Sequence, residues 1–400
     1  MIGILLKIIL IISFLTTYNL LVLSQDSRAQ YPSVLKKAYF GVSAGYINYR
    51  FSSKQLEQGY TAESVSVPHF ALRVILFGYR FNDHLSAQVS YMRPAAWIKY
   101  KNVNGSRSVH EVGMNVAGLT LRSGLPVSKK ITFISEAGVA VVTRSGFIIG
   151  NAAGVKDAGF TSLLVGAGMS YRLSKNWELN TAVTWSPAYE KAKQPATIFY
   201  STGFHYNMRP LPGEKVQRNS QSRHKFSKRV IQAGYTTNAA GYGVNNLFSQ
   251  KIPVFWGGDA QVKSGISLQY QHNIFHGRGV FSLDWGATAG WWKSDIQEEN
   301  FVTFALFPVF RFTIIRVKTA DLYFNYSLGG PAFISRTLID GHDTGKKFTF
   351  QDIMGIGVFA GRERQLNAEF RIVHYSNGNI FPHNDGVKIP LTFSLGYSVK

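Results

Sequence analysis

From about residue 38 to the C-terminus, apolar and polar residues alternate with period two, as in strands whose two faces meet different surroundings. Trp177, Leu179, Val183 and Trp185 share one parity, and Glu178, Asn180 and Thr184 hold the other. Phe281, Leu283, Trp285, Ala287, Ala289 and Trp291 alternate with Ser282, Asp284, Gly286, Thr288 and Gly290. Leu322, Phe324, Tyr326 and Leu328 alternate in the same way with Asp321, Tyr323, Asn325 and Ser327. The pattern predicts strands near 38–50, 66–80, 84–93, 110–122, 131–143, 160–172, 177–186 and 196–206. A second set is predicted near 228–243, 263–273, 278–292, 300–315, 318–328, 347–360, 364–376 and 389–399.

Such alternation fits a soluble sandwich or a membrane barrel. The apolar faces carry large aromatics towards the strand ends, and the opposite faces carry Gly, Ser, Thr, Asn and Asp, too small and polar for a dry core. No segment beyond the N-terminus is long and apolar enough for a membrane helix, so a membrane-spanning reading requires a barrel. Between the two sets, Arg209 to Arg229 holds Pro210, Pro212 and Gly213, then a basic run through Lys215, Arg218, Arg223, Lys225 and Lys228. That is linker composition. Eight strands close a small barrel filled by its own side chains. The expected fold is therefore all-β, with two tandem eight-stranded antiparallel transmembrane barrels; one sixteen-stranded, porin-like barrel is the alternative. The many Gly, Ala and Ser at inward positions suit a narrow lumen and favour two.

Composition narrows the setting. Of 400 residues, 45% are hydrophobic, yet only 16% are charged and 14% are aromatic, which fits two-faced strands better than a helical enzyme. The net charge of +21 arises without a basic, aromatic-interleaved helix, so it points to an anionic membrane surface and not to nucleic acid. With no cysteine, neither disulfides nor thiolate metal sites are possible. Lys7, the apolar run Ile2 to Leu23, and Ser27 and Ala29 before Gln30 match a cleaved export signal. The expected organisation is a signal peptide (1–29), a first barrel of unknown role (30–208), a basic linker (209–227) and a second barrel (228–400).

The candidate chemistry lies at the end of the second barrel's seventh strand. Leu366, Ala368, Phe370, Ile372, His374 and Ser376 share the apolar parity expected to face lipid. Asn367, Glu369, Arg371, Val373 and Tyr375 should face the lumen. Two residues apart on one strand face, His374 and Ser376 lie about 6–7 Å apart at Cα, close enough for an imidazole to serve a hydroxyl as base. Interfacial polarity at a strand end is the alternative account of the pair. Elsewhere, His272 and His276 are expected in strand and turn as loop or lumen residues, and His383 as exposed loop polarity. No HExxH, phosphate loop or dinucleotide fingerprint is present, so no metal or cofactor is expected.

The stretch His374-Tyr375-Ser376-Asn377, followed by Pro382, Asn384, Asp385 and Gly386, resembles the lipid A 3-O-deacylase (PagL-like) family, and within it the group often named acyloxyacyl hydrolases. The likeness covers roughly residues 228–400, including Phe348-Thr349-Phe350-Gln351-Asp352. It implies an outer-membrane esterase with a Ser-His-acid site on the lipid-facing surface, acting on an acyl ester of lipid A in the outer leaflet. Ser376 would be nucleophile and His374 base, with Asn377 and Asn384 holding the oxyanion. The family's acid follows the serine by twelve positions, where this chain has Lys388, which cannot accept a proton from histidine. Asp352 is the candidate replacement: it interrupts the apolar row Phe348, Phe350, Met354, Ile356, and a short turn at Gly361 to Glu363 would bring it beside His374. Asp385 is the second candidate. Residues 38–206 resemble small OmpA/OmpX-type barrels in pattern, without a catalytic constellation. A non-catalytic structural or binding barrel, or a pore, is the competing class.

Overall fold

The computed structural model describes residues 28–222, 224–252 and 254–399. The expected export signal lies outside these apart from its last two positions. Among the described residues no helix is long and apolar enough to cross a membrane.

The chain forms two closed eight-stranded antiparallel barrels, not one of sixteen strands. In the first, β1 (Ala38–Tyr49), β2 (Phe70–Arg80), β3 (Leu85–Pro94), β4 (Val109–Pro126), β5 (Ile131–Ser145), β6 (Ala158–Arg172), β7 (Trp177–Ser186) and β8 (Thr197–Asn207) follow one another round the wall. β8 returns to β1, with Tyr39 opposite Asn207, which leaves no open sheet edge. Val42, Tyr46, Leu72 and Phe133 point outwards and are exposed, while the buried Arg73 reaches across the lumen to Glu136. Thr120 donates to the same carboxylate at 2.7 Å, so the buried charge is both paired and hydrogen-bonded.

The second barrel runs β9 (Arg229–Thr237), β10 (Ala260–His276), β11 (Phe281–Ser294), β12 (Asn300–Arg316), β13 (Ala320–Ile334), β14 (Phe348–Ala360), β15 (Leu366–Ser376) and β16 (Val387–Val399). Closure pairs β9 with β16, Arg229 opposite Val399. Leu366, Phe370, Phe393, Leu395 and Tyr397 form an exposed apolar band, and Asn367, Glu369, Arg371 and Tyr375 are buried inside. Besides the small residues, the lumen holds long polar side chains, Glu369 and Arg371 among them as their parity predicts. Glu369 accepts from Tyr323 at 2.7 Å and from Asn325 at 2.9 Å, and Arg371 reaches Ser267 and Gln269. Long polar side chains fill the barrel because they satisfy one another across it.

The first strand of this barrel is shorter than its predicted span of 228–243. It stops at Thr237, whose hydroxyl accepts from the Ala239 N–H and turns the chain. A 3₁₀ turn (Asn238–Ala240), a helical turn (Gly243–Asn246) and a π turn (Leu247–Lys251) follow before β10 begins. His272 and His276 both lie on β10, and His272 shares the outward parity of the exposed Ile266 and Leu268, so it is not a lumen residue.

Two wall irregularities shape the outer face near the end of β15. Between Ser327 and Gly330 the β13–β14 register shifts, and Gly329 there has φ 63°, which glycine adopts without strain. Between Arg371 and Val373 the β15–β16 register shifts opposite Pro390 and Leu391, and a bulge is where a strand tolerates proline.

Candidate active site

The turn at Gly361 sets the β14–β15 register so that paired residue numbers sum to 726, which puts Asp352 directly opposite His374. Both belong to the outward row. Asp352 Oδ2 lies 3.3 Å from His374 Nδ1, and Asp352 Oδ1 accepts from the Gly329 N–H at 2.7 Å. The β13 bulge therefore supplies one hydrogen bond to the carboxylate and the imidazole supplies the other. A carboxylate only 5% exposed needs both, since an unpaired buried charge costs several kcal/mol. With its proton on Nδ1, His374 presents Nε2 as the basic atom.

Lys388 flanks the histidine from the other side. The bulge at Pro390 and Leu391 reverses the parity of β16, so Lys388 stands directly opposite His374 while Val387 and Ile389 turn into the core. The outer row thus reads Asp352, His374, Lys388 across three strands. The position matching the family's acid is adjacent to the histidine, and the carboxylate that contacts His374 comes from the opposite neighbour.

Ser376 ends β15 opposite Phe350, half-buried, and its hydroxyl makes no hydrogen bond among the described residues. Asn377 is buried; its N–H donates to Asn384 Oδ1 at 2.7 Å and its side-chain amide to the Thr344 carbonyl at 3.1 Å. Asn384 thereby pins the main chain that follows the serine. Asp385 is drawn elsewhere, accepting from the Asp343 N–H at 2.9 Å with His342 Nδ1 3.4 Å away. Asp352, and not Asp385, is the carboxylate that the fold brings to His374.

The outward row is not open to lipid at the histidine, contrary to the expectation of a bare exterior site. His374 is 2% exposed. The segment joining β9 to β10 folds back against the wall: Phe255 packs on Met354 and Ile372. Trp256 lies nearly parallel to the imidazole, at 18° and 6.4 Å between ring centres. Gly386 has φ 66°, and a Cβ there would stand 3.1 Å from His374 Nε2, so a glycine is needed for both backbone and space. Among the described residues no group of three or more His, Asp or Glu could hold a metal ion.

Residues 261–398 match the family model described as lipid A 3-O-deacylase (PagL). The C-terminal barrel is thus similar in sequence to the PagL family over most of its length. Residues 35–208 match the family model described as OmpA-like transmembrane domain. Similar solved structures include the outer membrane enzyme PagL (16% identity, TM-score 0.31, covering 42% of this chain and 99% of that one). Neisserial surface protein A is another (16%, 0.30, 42% and 96%). The N-terminal barrel domain of Pseudomonas aeruginosa OprF is a third (13%, 0.27, 43% and 98%). A search of curated proteins finds no match.

The covering segment of the C-terminal barrel is what sequence reasoning missed. Its signal was a cluster of large apolar residues, Phe248, Ile252, Val254, Phe255 and Trp256, ending at Gly257-Gly258, between two strands where a polar loop is usual. Gly329 was also missed, since a bulge that aims an N–H at a carboxylate leaves no periodic trace.

Proposed function

We propose that the C-terminal barrel is an outer-membrane esterase that removes the ester-linked acyl chain at the 3-position of lipid A. The observation that carries this reading is the row Asp352–His374, with Ser376 two residues further on, in a barrel matching the PagL family. Ser376 Oγ attacks the ester carbonyl while His374 Nε2 takes its proton. The oxyanion collapses, the sugar hydroxyl leaves with that proton, and water releases the acyl group through the same histidine. Asp352 holds the tautomer and stabilises the imidazolium. The oxyanion role expected for Asn377 is not carried over, because its N–H is given to Asn384 and its side-chain amide to the Thr344 carbonyl; the pair instead holds the main chain after Ser376 in place. The substrate is lipopolysaccharide in the outer leaflet, whose phosphates suit a chain of net charge +21.

A non-catalytic barrel is the second reading, favoured by the missing Ser376–His374 hydrogen bond in the resting state, although such bonds often tighten only with substrate. Mass spectrometry of lipid A from cells making the wild-type chain or Ser376→Ala separates the two. Loss of one 3-linked acyl chain with the wild type alone supports the esterase; identical lipid A in both refutes it. The filled lumen argues against a pore, and planar-bilayer conductance tests that.

A further inference from the structure

Lys388 has a second set of partners, all on the segment that covers His374. Its Nζ donates to Asn246 Oδ1 at 3.3 Å and lies 5.1 Å from the centre of the Tyr242 ring. Next to it, Asn245 donates to the Ile389 carbonyl at 2.8 Å. Further along the segment, the Tyr326 hydroxyl donates to the Val254 carbonyl at 2.8 Å. Directly after Val254, Phe255 and Trp256 lie over Ile372 and His374, and beyond them the Asp259 N–H donates to the Asp385 carbonyl at 2.7 Å. Lys388 is itself 8% exposed, and its ammonium has no carboxylate within ion-pair distance among the described residues. A buried cation keeps such a place only when other groups replace its water, and Asn246 and the Tyr242 ring are those groups.

We propose that Lys388 is a latch: it fastens the Asn238–Asp259 segment across the barrel wall as a lid on His374. The proposal rests on His374 as the base of the esterase reading, and it gives the residue at the family's acid position a different task. The latched lid closes the Met354–Ile372 strip to lipid and leaves the half-buried Ser376 as the accessible edge. Lys388 makes no hydrogen bond to His374 or Ser376 among the described residues; it positions the lid, and the lid governs access to the imidazole.

The test reads accessibility and not turnover, so it stands or falls apart from the esterase reading. The full-length protein in detergent micelles is treated with diethyl pyrocarbonate, which acylates reachable imidazole nitrogens. Peptide mass spectrometry follows His374, with the partly exposed His342 as internal reference. In the wild type, His374 reacts far more slowly than His342. In Lys388→Met its rate rises by roughly tenfold or more, as expected for loss of a hydrogen bond to a charged group, while His342 is unchanged. Asn246→Ala removes the other partner without touching the barrel wall and gives the same rise, and Lys388→Arg restores protection. Wild-type rates at His374 in both Lys388→Met and Asn246→Ala, or a Lys388→Arg variant as reactive as Lys388→Met, overturn the latch.

Discussion

Replacing Asp352 by Asn changes one atom and reverses a hydrogen bond. The carboxylate now accepts twice, from the Gly329 N–H at 2.7 Å and from His374 Nδ1 at 3.3 Å. Asparagine has one acceptor and one donor. The Gly329 N–H can only donate, so it claims the carbonyl and leaves the NH₂ facing His374. The imidazole then accepts at Nδ1, its proton moves to Nε2, and the atom that should take the serine proton already carries one. Losing a hydrogen bond to a charged group costs about 1.5–3 kcal/mol, roughly 10- to 100-fold. A trapped wrong tautomer extends the loss in a serine-protease triad to about 10⁴-fold. Turnover of lipopolysaccharide in micelles, followed as released fatty acid, should therefore fall between about 10²- and 10⁴-fold. KM should stay nearly constant, because the buried Asp352 has no path to substrate. Circular dichroism should be unchanged, since the Gly329 bond survives. An Asp352→Asn variant that keeps half of wild-type turnover, beside an Asp385→Asn variant that loses it, would refute Asp352 as the acid.

Three other outcomes follow. Gly386→Ala places a Cβ 3.1 Å from His374 Nε2 at a residue of φ 66°, so it should lower turnover while thermal unfolding shifts by only about 1–2 kcal/mol, measurable in parallel assays. In the lumen, Asp284 lies 2.5 Å from Arg311, so Asp284→Leu strands a buried guanidinium and should cost about 3–5 kcal/mol in denaturant unfolding, much of it recovered in Asp284→Leu/Arg311→Met. Glu298, in the β11–β12 turn, has its carboxyl held down to about 2 by hydrogen bonds from Lys263 and Lys293. A carboxyl depressed in the folded state adds stability above its ordinary value of 4.5 and loses it as pH falls towards about 2. The small stability gap between wild type and Glu298→Gln should therefore close across that window, and high salt should shrink it at neutral pH.

Much of the barrel wall was legible because period two is a local property. Trp177–Ser186 is predicted and found over the same residues, and Phe348–Ala360 differs by one. The pairing of Asp352 with His374 was accessible for the same reason: a tight turn at Gly361 sets register by counting. Lys388 was recognised as a departure, but not as a neighbour of His374 on the outer face, because parity counted along β16 fails at the Pro390 bulge. The lumen's hydrogen-bond partners were not legible, since pairs such as Gln232 and Asn367 are 135 residues apart.

By itself, then, the amino-acid order determined two runs of two-faced strands, the parity of those without a bulge, and a histidine and serine placed on one outward row. Tertiary structure alone decided that the chain closes twice and not once, that a bulge at Gly329 feeds a hydrogen bond to Asp352, and that an apolar connection folds over the imidazole. The physical reason is that alternation is written residue by residue. Closure, bulges and a folded-back segment depend on which distant groups can satisfy one another's hydrogen bonds and cover one another's apolar surface.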